Sequence, residues 1–82
     1  MKTNEITRGA FVLSLAGRDR GRIHVVVNAS DGYADIVDGV TRKTESPKRK
    51  KFKHLDLIEI DPFDGDFCDK EIRECIRQLS VD

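Results

Sequence analysis

Short β-compatible runs follow one another along the first sixty residues, and glycine-bearing turns break them about every ten positions. Ile6 to Leu15 carries Phe11, Val12 and Leu13 and stops at Gly17. Arg22 to Asn28 holds Ile23, Val25, Val26 and Val27, a density of β-branched side chains that fits a pleated surface better than a helix. Ala29-Ser30-Asp31-Gly32 is the next turn; Tyr33 to Asp38 then alternates in period two, and Gly39 ends it. A fourth strand is expected over Lys48 to His54, with Phe52 turned inward, and a closing strand over Leu55 to Ile60. A meander of this spacing predicts a mainly β fold, a small barrel or sandwich.

The period changes after Asp61-Pro62-Phe63-Asp64-Gly65-Asp66, whose composition is that of a turn. Ile72, Cys75, Ile76 and Leu79 then follow the i, i+3, i+4, i+7 rule, predicting a helix near residues 69–79 with one apolar face. Asp66 or Asp69 is the expected N-cap. The stripe predicts docking on the flank of the β unit, since apolar surface left in water costs free energy. Its outer acids, Asp69, Glu71 and Glu74, are expected to repel phosphate. With 82 residues the chain has room for one core, so residues 1–60 are read as the β domain and 61–82 as an acidic turn and helix attached to it.

The overall charge of +0 conceals a segregation. Residues 1–54 hold twelve Lys and Arg against six Asp and Glu, a net +6, whereas residues 55–82 hold three against nine, a net −6. A basic body of this kind implies a surface that faces a polyanion. Its cations fall in two places, the loop Arg18, Arg20 and Arg22, and the stretch Arg42, Lys43, Lys48, Arg49, Lys50, Lys51, Lys53 and His54. Tyr33 reads first as a half-buried strand tyrosine and second as a platform for a base.

Other chemistries have little support. His24, His54, Cys68 and Cys75 lack the spacing of a metal site, and the two cysteines are read as reduced thiols. No nucleophile–base pattern and no glycine-rich phosphate loop before a helix is present, so neither catalysis nor a cofactor is expected. No apolar run reaches membrane-spanning length and no signal sequence is evident, giving a cytoplasmic expectation.

Residues 9–27, Gly9-Ala10-Phe11-Val12-Leu13-Ser14-Leu15-Ala16-Gly17-Arg18-Asp19-Arg20-Gly21-Arg22-Ile23-His24-Val25-Val26-Val27, resemble the KOW motif, a strand–loop–strand signature of several ribosomal proteins and transcription-elongation factors. Gly17 and Gly21 permit positive φ where the chain reverses, and Asp19 can accept turn amides. Three forked guanidiniums would project from that loop toward phosphates. Val37-Asp38-Gly39, the basic stretch from Arg42 to Lys53, and His54-Leu55 extend the resemblance to KOW-type proteins of the archaeal and eukaryotic large ribosomal subunit, and to short bacterial KOW proteins ending in a helix. His24 departs from the glycine that many bacterial KOW motifs carry near this position. The resemblance implies an SH3-like barrel that binds RNA, here ribosomal RNA of the large subunit, with a ribosomal protein as a possible neighbour. A barrel that docks onto a transcription or translation factor is the alternative, and fold alone does not choose between them.

Overall fold

The computed structural model describes residues 6–80, which form one antiparallel sheet of five strands and a C-terminal helix. β1 is Phe11–Ser14, β2 Ile23–Ser30, β3 Tyr33–Val37, β4 Lys48–Lys51 and β5 Leu55–Ile58, in the sheet order β4-β3-β2-β1-β5; α1 is Asp69–Ser80. β1 to β4 run as a meander, and β5 returns to pair with β1. The expected fourth strand stops early. Phe52–His54 form a single 3-10 turn between β4 and β5, which lets the chain pass from one edge of the sheet to the other.

Both faces of the sheet carry buried residues, and alternation divides these between them. Val12, Val26, Ala34, Ile36 and Leu55 form one core, with Phe52 and Leu57 packed against it. Phe11, Val25, Val37, Phe63 and Ile72 form the other, between sheet and helix. A bulge between Val26 and Asn28 shifts the parity of β2, so that Val26 and Ala29 share the inner face although three positions apart. Strand pairing across Asp31-Gly32 is a two-residue turn with positive φ at both positions, as the twist of a hairpin requires.

The helix docks as its periodicity implies. Ile72 is 0% exposed, and Cys75 and Ile76 are half-buried beside it, while Leu79 at the far end is exposed. Its start is tied to the sheet by backbone proximity. Gly39 has φ +79°, and a Cβ there would lie 2.5 Å from the Asp69 carbonyl oxygen and 3.0 Å from the Arg73 amide. Asp69, one of the two expected cap residues, also reaches back to the sheet. Its Oδ1 accepts the Thr44 amide at 2.7 Å, fastening the β3–β4 loop to α1. Among the described residues no helix is long and apolar enough to cross a membrane.

Candidate nucleic-acid interface

Two loops meet at one end of the sheet, one held by the part-buried carboxylate of Asp19 and the other by the buried carboxylate of Asp38. The β1–β2 loop closes through the Gly21 amide donating to the Ser14 carbonyl (2.7 Å) and the Ser14 amide donating to the Arg22 carbonyl (3.1 Å). Asp19 does not bind turn amides as expected. Its carboxylate accepts the Ser14 hydroxyl at 2.9 Å and pairs with the Lys50 ammonium at 3.1 Å. Lys50 also donates to the Ala16 carbonyl at 2.5 Å, so β4 is strapped across to the loop after β1. The β3–β4 loop winds around Asp38. Its Oδ1 accepts the amides of Val40 and Arg42, and its Oδ2 accepts the Thr41 hydroxyl.

His24 stands between these carboxylates and is 0% exposed. Its Nδ1 donates to the Arg22 carbonyl at 3.1 Å, and Nε2 lies 3.9 Å from Asp19 and 4.0 Å from Asp38 with no hydrogen-bond partner among the described residues. Burial pushes the imidazole below the ordinary histidine pKa, outweighing the Arg22 carbonyl and the charges of Asp38 and Asp19. Burial opposes ionisation of Asp19 as well, yet Ser14 and Lys50 together hold it below the usual range. Asp38 is held low against the same penalty by the Arg42 and Val40 amides and Thr41.

These shifts fix a pH dependence. The unfolded chain takes up the His24 proton near the ordinary value of 6.5 while the folded chain resists it, so stability declines as pH falls below that value. A further loss is expected below the ordinary carboxyl value of 3.8, as pH falls toward the depressed folded values of Asp19 and Asp38. Chemical denaturation between pH 7.5 and 5 tests the first phase. The His24→Gln chain is expected to lack it, and an unchanged slope would assign the decline to another group.

Braced in this way, the loops and β4 enclose an open cleft of about 430 Å³ lined by Arg18, Asp19, Arg22, Thr41, Arg42 and Lys48. Four cations thus converge from three segments of the chain. The carboxylate among them, Asp19, is already engaged by Lys50 and Ser14.

The remaining candidates divide. Arg20 and Lys43 are exposed on the two loops but do not line the cleft. Strand alternation separates the basic stretch, so Lys48 faces the cleft while Arg49 and Lys51 point to the opposite side of β4 from Lys50. There Arg49 pairs with Asp35 at 3.3 Å and lies 4.9 Å over the Tyr33 ring. Lys50 is only 8% exposed and is a brace, not a contact surface. Lys53 and His54 lie in the 3-10 turn, away from the cleft lining. One cationic surface spanning the whole stretch is therefore not what the fold builds.

Sequence reasoning missed Asp38, Thr41 and His24 as parts of the site, and it missed Arg73 and Arg77. The two arginines sit at i, i+4 on the flank of α1 nearest Arg22, and the spacing alone could have revealed them. The helix, whose outer acids are expected to repel phosphate, carries positive charge on this other flank. No protein-family model matches the chain, and no curated protein matches it.

Proposed function

We propose that this chain is a non-catalytic RNA-binding protein that grips backbone phosphates in the cleft of Arg18, Arg22, Arg42 and Lys48. The observation that carries the reading is convergence. Forked guanidiniums on two braced loops and an ammonium on β4 surround one open depression whose carboxylate is already neutralised. Such an array suits phosphate oxygens, which arginine binds in bidentate fashion. The strand order, the return of β5 to β1 and the apolar core on the inner face support an SH3-like barrel, although β4 and β5 share no ladder among the described residues. With the resemblance to KOW proteins, this favours structured RNA of the large ribosomal subunit as the target and the cytoplasm as the setting. Recognition is by backbone and shape more than by base sequence.

Affinity for ribosomal RNA fragments is expected to fall steeply with salt. Four neutralised phosphates give a log–log slope of roughly −3, and replacing Arg18 and Arg42 with glutamine reduces its magnitude by about 1 for each guanidinium removed. A flat salt response, or a slope indifferent to both substitutions, overturns the phosphate clamp. Crosslinking and sequencing of RNA bound in cells identifies the target.

Docking of a protein partner is the second reading. Its support is a groove between α1 and the segment after β5, where Ile60 and Leu79 are exposed beside Asp61, Asp64, Glu71 and Glu74. A partner bound there would bind with little salt dependence if apolar contact dominated.

A further inference from the structure

The cationic cleft does not end at Arg22. On the other side of this residue lies a second depression, of about 550 Å³, between α1 and the ends of β1 and β2. Its apolar lining is Leu13, Ile23, Val40 and Ile76, and Val40 is 50% exposed. Arg22, Arg73 and Arg77 bring positive charge, and Asp38 also lines it, its oxygens taken up by the Val40 and Arg42 amides and the Thr41 hydroxyl. Arg73 donates to the Gly39 carbonyl at 3.3 Å, which holds it against the β3–β4 loop. Arg77 is largely exposed and lies 3.6 Å from Glu74 on its own helix. The segment Val40-Thr41-Arg42 lines both depressions in turn, so the two are neighbours along one loop as well as at Arg22.

We propose that this arginine-bordered apolar groove holds an unpaired nucleobase of the RNA whose adjoining phosphate sits in the cleft. The inference rests on the phosphate-clamp reading above and adds to it the class of RNA: a single-stranded or bulged nucleotide. The physical case has three parts. A base has two apolar faces and a polar edge, and the groove offers an aliphatic lining with guanidiniums, which both stack on bases and donate hydrogen bonds. Its size lies within the range of small-molecule clefts. Its position beside the cationic cleft matches the covalent link between a base and its backbone phosphate, since Arg22 lines both sites. A duplex keeps its bases stacked inside and cannot fill the groove, whereas its phosphates can still reach the cleft.

The test compares a short single-stranded oligouridylate with the same ribose-phosphate backbone lacking bases, each titrated against the intact protein. Base–protein stacking predicts that the wild-type chain binds the uridylate about tenfold more tightly than the abasic strand. Val40→Gln and Arg77→Gln, both at exposed positions, are expected to bring that ratio toward one. Arg18→Gln and Arg42→Gln are expected to weaken both strands alike and leave the ratio intact. A wild-type ratio near one, or a ratio unmoved by the Val40 and Arg77 substitutions, overturns the groove as a base site while the clamp stands. Absence of any effect at Arg18 and Arg42 instead overturns the clamp.

Discussion

Replacing Gly39 with alanine is expected to destabilise the fold by about 2–5 kcal/mol. Two costs combine. The residue has φ +79°, a conformation that costs a side-chain-bearing residue roughly 1–2 kcal/mol. The added Cβ would also fall 2.5 Å from the Asp69 carbonyl oxygen and 3.0 Å from the Arg73 amide, so either the loop or the start of α1 must move. For a domain of this size the midpoint of thermal unfolding would drop by roughly 8–40 °C. Gly32→Ala separates the two costs. Gly32 has the same φ of +79°, but a Cβ there meets nothing within 4 Å, so only the conformational part remains. If both variants lose the same stability, close packing of the loop on α1 is not what the glycine serves. Amide exchange at Ile72 reports whether the helix has undocked.

Lys50→Gln and Lys51→Gln are expected to differ sharply, though the residues are neighbours in one basic run. Lys50 pairs with Asp19 and is 8% exposed, and removing its charge leaves the part-buried carboxylate with Ser14 as its remaining hydrogen-bond donor. Breaking a buried ion pair from one side costs about 3 kcal/mol or more. Lys51 is exposed, so its substitution is expected to stay within about 0.5 kcal/mol. Urea denaturation of the two variants provides the comparison, and equal midpoints would refute the brace. On the proposed RNA-binding reading, Lys50→Gln is also expected to weaken binding beyond the loss of one charge, because the loop that aims Arg18 and Arg22 is no longer strapped to β4. The double variant Asp19→Asn with Lys50→Met removes both charges and is expected to recover part of the stability but not the binding.

The brace and the cleft together explain why a small domain keeps four ionisable groups near its core. His24, Asp19, Asp38 and Lys50 plug the end of the inner core where apolar packing stops. Through them the two loops are positioned relative to each other, which an apolar plug would do less specifically. Rigid loops matter for phosphate binding, since less side-chain and backbone freedom is then lost on association.

Much of this architecture follows from local pattern. The density of β-branched residues marked β2, period-two alternation marked β3, the turn at Asp31-Gly32 set a hairpin, and the 3.6-residue period of Ile72, Cys75 and Ile76 implied a docked helix. These signals are legible because each depends on residues only a few positions apart. The division of charge between a basic body and an acidic end was equally plain. What the charges do was not. Arg18, Arg22, Arg42 and Lys48 share the cleft, but Lys50 is buried as a brace, and Arg49 and Lys51 face away from it on the opposite side of their strand. The acidic segment, in turn, contributes Arg73 and Arg77 to the positive side. These outcomes depend on strand register, on the curl of the sheet and on which loops meet at its end. The Lys50–Ala16 contact joins residues 34 positions apart, and the partner of Asp69 is Thr44, 25 positions away. A charged side chain carries no local signal of the partner that will neutralise it, so tertiary structure alone decided which cations line the cleft.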